Sequence, residues 1–230
     1  MTITVDLATE AIRTGTGSPT TGSHGGAASG VKGIVIALIH GASSTDHITA
    51  VSYGTCNLTR IVRATDTATE PGAAELWFCG SNVVQGTQTW SYTSGATTDD
   101  IDCRVITLLA ATDLGIVSTG SISDTDGANP SVALAAHGRS CMAFAAQYSG
   151  VTAQTSLTAG TNCTKVGSGE LTGNFCSGVV RQTTGGTSDF TVAMTSAADD
   201  LAFAAMMVGE EASLPMLEMP PMLPPTPPQP

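Results

Sequence analysis

Two acidic turns carry the residue types best placed for chemistry in this chain. Asp124-Thr-Asp126-Gly-Ala-Asn129 is a D-x-D-G-x-N pattern, and Asp99-Asp100-Ile-Asp102 is a second acidic cluster. Oxygen ligands on alternate residues of a turn suit a hard cation, calcium above all. The first turn lacks the downstream bidentate glutamate of an EF-hand and has no helical flanks. Asx-turns, in which the short side chain bonds its own backbone, account for the same residues without a metal. That reading is favoured: Asp124, Asp126 and Asn129 stand as the calcium candidate, and no metal or other cofactor is assigned. Histidines occur at 24, 40, 47 and 137. His40 and His47 flank one turn and could approach each other, yet zinc-site spacing and carboxylate partners are lacking. A hydrogen-bonded structural role is expected for them.

Catalytic signatures are missing. There is no G-x-S-x-G elbow and no H-E-x-x-H pair, and the GTGSPTTGS stretch at 15–23 has no phosphate-binding lysine. No catalytic residue is assigned, and the chain is expected not to be an enzyme. Charge narrows the partners. The formal net charge is -11, from 19 acidic and 8 basic residues, and Lys32 and Lys165 are the only lysines. No basic stripe is available to neutralise phosphates, so nucleic acid is not an expected partner. The same acidity disfavours an anionic membrane surface. The longest apolar run, Gly33 to His40, is far below the roughly 20 residues of a membrane span. The opening MTITVDLATE has no basic segment followed by an apolar one, so no secretion signal is expected and assembly in a host cytoplasm is. Cysteines at 56, 79, 103, 141, 163 and 176 form no C-x-x-C pair. They are expected to be free, buried thiols.

These residues need a scaffold, and the pattern is β throughout. Strands are expected near 2–8, 31–40, 47–54, 57–64, 74–79, 87–93, 101–110, 115–122, 131–137, 140–149, 163–168, 174–183, 188–195 and 200–208. Period-2 alternation marks several as half-buried. In IDCRVITLL, Ile101, Cys103, Val105, Thr107 and Leu109 share a face. In DFTVAM, Phe190, Val192 and Met194 face away from Asp189, Thr191 and Ala193. SVALAAHG at 131–138 is the one Ala-rich stretch with helical character, and it also reads as a buried strand. Trp77, Phe78, Trp90, Phe144, Phe175, Phe190 and Phe203 are the expected bulky core fillers. Many short strands separated by Gly-, Asp- and Thr-rich turns predict an all-β fold, a single β-sandwich or jelly-roll-like domain. Residues 1–30 read as an N-terminal strand followed by a small-residue-rich loop or arm, 31–210 as the sandwich, and 211–230 as an extended arm.

That arm is the most unusual segment. From Leu214 to Pro230 it reads LPMLEMPPMLPPTPPQP, with prolines at 215, 220, 221, 224, 225, 227, 228 and 230. Proline fixes φ and removes the backbone donor, so neither a helix nor a central strand can run through it. An extended, pre-ordered backbone is expected. Leu214, Met216, Leu217, Met219, Met222 and Leu223 lie between the prolines. A mere spacer has no need of large apolar side chains. An extended arm studded with them is suited to a groove on another chain.

The segments Ile48–Gly54 (ITAVSYG), Leu58–Asp66 (LTRIVRATD) and Glu75–Gly80 (ELWFCG) resemble a recurring β-sandwich module of tailed-bacteriophage virion proteins. The final DLAFAAMMVGEE is similar to that module's closing strand. The resemblance spans roughly residues 31 to 210. One departure is Gly54-Thr55, where such turns often carry a Gly-Gly pair. The resemblance brings no catalytic residues. It implies a virion component: a capsid decoration (cement) protein on the capsid surface, or a tail or fibre piece. The decoration reading makes the major capsid protein and copies of this chain the expected partners, in a homo-trimer, with the arm clasping a neighbour. The alternative is a tail-fibre or receptor-binding module that recognises a surface glycan.

Overall fold

The computed structural model describes residues 2–13, 20–41, 44–67, 71–95, 100–127, 129–150, 157–167, 175–196 and 199–211. Within them the chain is all-β, and every strand pair is antiparallel. The first sheet runs in the order β1 (Thr4–Arg13), β9 (Ile101–Leu109), β3 (Val31–Gly41), β7 (Gly72–Cys79), β6 (Thr59–Asp66). The second runs β2 (Thr20–Gly25), β8 (Thr87–Ser94), β4 (Ile48–Tyr53), β5 (Cys56–Asn57). The third runs β10 (Leu114–Gly127), β17 (Asp199–Glu210), β12 (Cys141–Ser149), β15 (Cys176–Gln182), β14 (Cys163–Lys165). The fourth is β11 (Ser131–Leu134), β16 (Phe190–Thr195), β13 (Thr158–Ala159).

Three apolar clusters explain this arrangement. Val35, Ala37 and Ile39 of β3 meet Phe144, Ala146, Ala204 and Met206 of the third sheet. The opposite face of β3, with Ile34, Ile36 and Leu38, meets Val51, Tyr53, Trp90 and Tyr92 of the second. Likewise Ala143, Ala145, Phe203 and Met207 leave the first cluster and meet Leu134, Val192 and Met194 of the fourth. The central strands of the two five-stranded sheets are therefore covered on both faces, which is why β3, β12 and β17 read as almost continuous apolar runs. Strand β9 corrects the half-buried expectation. Ile101, Cys103 and Val105 do share a face, but Asp102 and Arg104 on the other face are equally buried. In β16 the alternation holds for Val192 and Met194, which are buried beside an exposed Thr191, but Phe190 is only half-buried and corrects its expected place among the core fillers.

Small residues set the sheet spacing. A Cβ on Gly72 would lie 2.3 Å from Cε2 and Cζ of Tyr148. That ring is 1% exposed and leans on Phe175, centroid to centroid 5.5 Å, so it has nowhere to go. Gly72→Ala is therefore expected to cost about 1–3 kcal/mol through overpacking. A urea midpoint indistinguishable from the parent would refute this account of the spacing.

The N-terminal expectation needs correction as well. Residues 20–25 lie within the stretch read as a loop, yet they form β2, paired along its length with β8. The segment TTGSHG shows no apolar period because its packing residues are a glycine and a histidine. Gly22 sits under Trp90, where a Cβ would come within 2.5 Å of the indole. At the β4–β5 hairpin, Gly54 adopts φ 56° between Tyr53 and Cys56. A two-residue hairpin requires such a conformation, and glycine reaches it without strain.

Candidate functional site

The six arm residues, Leu214, Met216, Leu217, Met219, Met222 and Leu223, lie outside the described residues. Their point of departure is described. Strand β17 sits between β10 and β12, and Leu114 pairs with Glu210 while Cys141 pairs with Gly209. The Glu210 amide donates to the Ser140 carbonyl at 3.0 Å, and the Glu211 amide to that of Asp113 at 3.0 Å. The arm thus leaves from a strand held on both sides. Pulling on it loads two ladders at once, whereas an edge strand would peel from one. Glu210, Glu211 and Asp113 make the root acidic, with Lys32 bridging Asp113 at 3.1 Å. Leu7, at 38%, is the only exposed large hydrophobic side chain among the described residues.

The acidic turns do not form as expected. Asp124 and Asp126 belong to the backbone of β10, where Thr125 opposes Leu201 and Asp126 opposes Asp200. The backbone there is strand rather than turn, with a register irregularity between Ile122 and Thr125. Asn129 does sit in a turn, at φ 55°, and its Oδ1 accepts from the Ser196 amide at 3.2 Å. In the second cluster Asp99 lies outside the described residues, and Asp102 is a buried strand residue. Among the described residues, no group of three or more His, Cys, Asp or Glu side chains could hold a metal ion.

Asp102 belongs to a different constellation. Arg104 Nε and Nη2 donate to its two carboxylate oxygens at 2.8 and 2.7 Å. Nη2 also lies 2.9 Å from Glu10 Oε1, across the β1–β9 register. Nη1 donates to the Val166 carbonyl, and Ser177 Oγ to Asp102 Oδ2 at 2.6 Å. Ser177 lies in β15 and Val166 directly follows β14, so this network joins the two large sheets at one end. Gly167, at φ 77°, lies so close that a Cβ would strike the guanidinium at 2.2 Å. Ser177 and Asp102 have no histidine between them in this network. Arg104 and Asp102 are both fully buried.

A second buried carboxylate, Glu75, accepts from Arg63 Nε at 2.9 Å and from Trp77 Nε1 at 2.9 Å. His40 Nε2 lies 3.6 Å from it. Both His40 and Glu75 are fully buried, which gives His40 a structural setting. His47 immediately precedes β4, where its carbonyl accepts from the Gly95 amide. Trp77 and Trp90 are core residues, 6% and 2% exposed. All six cysteines are free, and Cys56, Cys103, Cys141 and Cys176 are buried.

His24 ties β2 to the first sheet. Its Nδ1 pairs with Thr9 Oγ1 at 2.8 Å and its Nε2 with Thr107 Oγ1 at 3.2 Å. Burial lowers its pKa below the ordinary 6.5, although the Asp6 carboxylate pulls the other way. The folded state thus prefers neutral His24. Its contribution to stability is full above 6.5 and is lost as pH falls below that value towards the depressed one. The melting temperature is expected to drop between pH 7 and pH 5, and His24→Gln should flatten that part of the profile. An unchanged slope in the variant would refute the assignment.

One surface depression of about 320 Å³ is lined by Asn162, Gln182, Thr183, Thr184 and Phe190. Another of about 230 Å³, lined by Val31, Lys32, Asn82, Val83, Gln85 and Asp113, lies beside the arm root. Comparison of the chain with protein-family models, with curated proteins and with solved structures finds no match.

Proposed function

We propose that this chain is a structural virion protein that decorates and stabilises a phage capsid, its C-terminal arm clasping a neighbouring subunit. On this reading the four sheets form one thick β-sandwich body, and the arm makes the contact. The observation that carries it is the pairing of an apolar, proline-set arm with a root on a doubly held strand. Such a root suits a segment that bears load between subunits. The body supports the reading too: with Leu7 alone exposed among its described large apolar residues, it offers little for an apolar contact, and the arm offers six side chains. Proline lowers the entropy lost when the arm orders on its partner. Repetition over a symmetric shell would add avidity to weak single contacts. A trimer at a symmetry axis fits closed assembly. Neither catalysis nor nucleic-acid or membrane binding is part of this reading.

The depression around Phe190 favours the second reading, a glycan-recognising fibre module. It sets amide and hydroxyl side chains beside an aromatic ring, the usual partners of a sugar. Immunogold electron microscopy of purified virions separates the two. Label spread over the shell supports decoration, label confined to the tail tip supports the fibre, and unlabelled particles overturn both.

A further inference from the structure

Two of the six thiols meet. Cys56 closes the β4–β5 hairpin opposite Tyr53 in the second sheet. Cys79 ends β7 in the first sheet, one residue beyond Phe78, whose partner is Thr59. Only Asn57 and Leu58 separate Cys56 from Thr59, so the passage of the chain from one sheet to the next delivers both thiols to one place. Both donate to the same short turn. Cys56 Sγ bonds the Asn82 carbonyl at 3.1 Å, and Cys79 Sγ the Ser81 carbonyl at 3.3 Å. Burial first, and the neighbouring Cys56 to a lesser degree, raise the pKa of the Cys79 thiol. Asn82 holds φ 54°, the left-handed conformation that turns both carbonyls into reach.

We propose that Cys56 and Cys79 form a thiol–disulfide site, closed by exchange with a low-molecular-weight disulfide. Cys79 is the less buried of the two and reacts first. Its thiolate attacks one sulfur of the reagent, the reagent's S–S bond breaks, and one thiolate leaves and takes up a proton. The Cys56 thiolate then attacks the Cys79 sulfur of the mixed disulfide, and the second reagent thiol departs. Two protein thiols are oxidised to one disulfide, and one reagent disulfide is reduced to two thiols. The new bond staples the hairpin of the second sheet to the end of β7 in the first, closing the loop between residues 56 and 79. Burial raises the Cys79 thiol above its ordinary pKa, so exchange should quicken in mild alkali. Burial also raises Cys103, Cys141 and Cys163, and pushes Cys176 up to about 11. Cys141 Sγ is engaged elsewhere, with the Ala136 carbonyl at 3.7 Å, and the Cys56–Cys79 pair is expected to react selectively. This inference stands apart from the capsid reading.

The test uses the full chain, folded, with oxidised glutathione at pH 8.5, followed by acid quench, unfolding, alkylation and peptide mapping. The expected product links the Cys56 and Cys79 peptides with loss of two hydrogens, while the other four cysteines are alkylated. The melting temperature should rise by roughly 5–10 °C and return on treatment with dithiothreitol. Cys56→Ser should stop at the mixed disulfide on Cys79. Full alkylation of both residues in the wild-type chain, a glutathione adduct that never closes there, or a link through any other cysteine would overturn the proposal.

Discussion

Removing residues 214–230 is expected to leave the body folded and to weaken its attachment to capsid shells by at least about a hundredfold, or about 3 kcal/mol. The structural half of this rests on the root. Strand β17 completes its pairing at Glu210, and the last described contact, the Glu211 amide to the Asp113 carbonyl, lies before the cut. The urea midpoint should therefore be unchanged. The binding half rests on the arm's side chains. Burying one Leu or Met is worth about 1.5–3 kcal/mol before costs. Six such residues supply a large gross gain, of which ordering and association consume much. Co-sedimentation with shells stripped of the chain measures the difference. Replacing Met216, Leu217, Met219, Met222 and Leu223 by serine, with the prolines kept, should reproduce the loss. Truncated protein that binds and protects shells normally would show that the arm is no clasp.

Arg104→Met is expected to be the most damaging single change in the body, at about 3–5 kcal/mol. Arg104 and Asp102 are both fully buried, and the guanidinium satisfies the Asp102 carboxylate through two parallel bonds while reaching Glu10 and the Val166 carbonyl. Methionine fills the space but strands the carboxylate with the Ser177 hydroxyl as its remaining donor in the network. Desolvating an uncompensated charge is what makes breaking such a pair costly. The companion experiment separates charge from packing. Adding Asp102→Leu to Arg104→Met removes both members and should recover more than half of the loss. Urea unfolding measures each step. A single variant within about 1 kcal/mol of the parent would mean that the network does not hold the sheets together.

The strands were readable wherever a run was both apolar and bounded by turn residues. β3, β7, β12 and β17 appear close to their expected positions because each must fill two apolar layers. β2 was missed because TTGSHG has no apolar residue to signal burial; its packing comes from the bare Gly22 under Trp90 and from His24 hydrogen-bonded to two threonines. Two-residue β13 is too short to carry a period. The buried network was visible in outline, since Asp102 and Arg104 stand at alternate positions of an otherwise apolar strand. Read as a turn ligand, Asp102 pointed to calcium; its true partner lies two residues along the same strand face. The third members, Glu10 and Ser177, come from distant strands, and only the register brings them in. For the same reason nothing in the sequence set Cys56 beside Cys79, which meet across a sheet-to-sheet passage.

The decoration reading turns on stoichiometry. A cement protein covers a shell, whereas a fibre module sits at a few sites. Quantitative mass spectrometry of purified virions, with isotope-labelled peptides from the body referenced to the major capsid protein, counts the copies directly. The capsid account predicts on the order of hundreds of copies per particle, in fixed ratio to the shell protein, as symmetric coverage requires. A handful of copies per particle, or none, would contradict it.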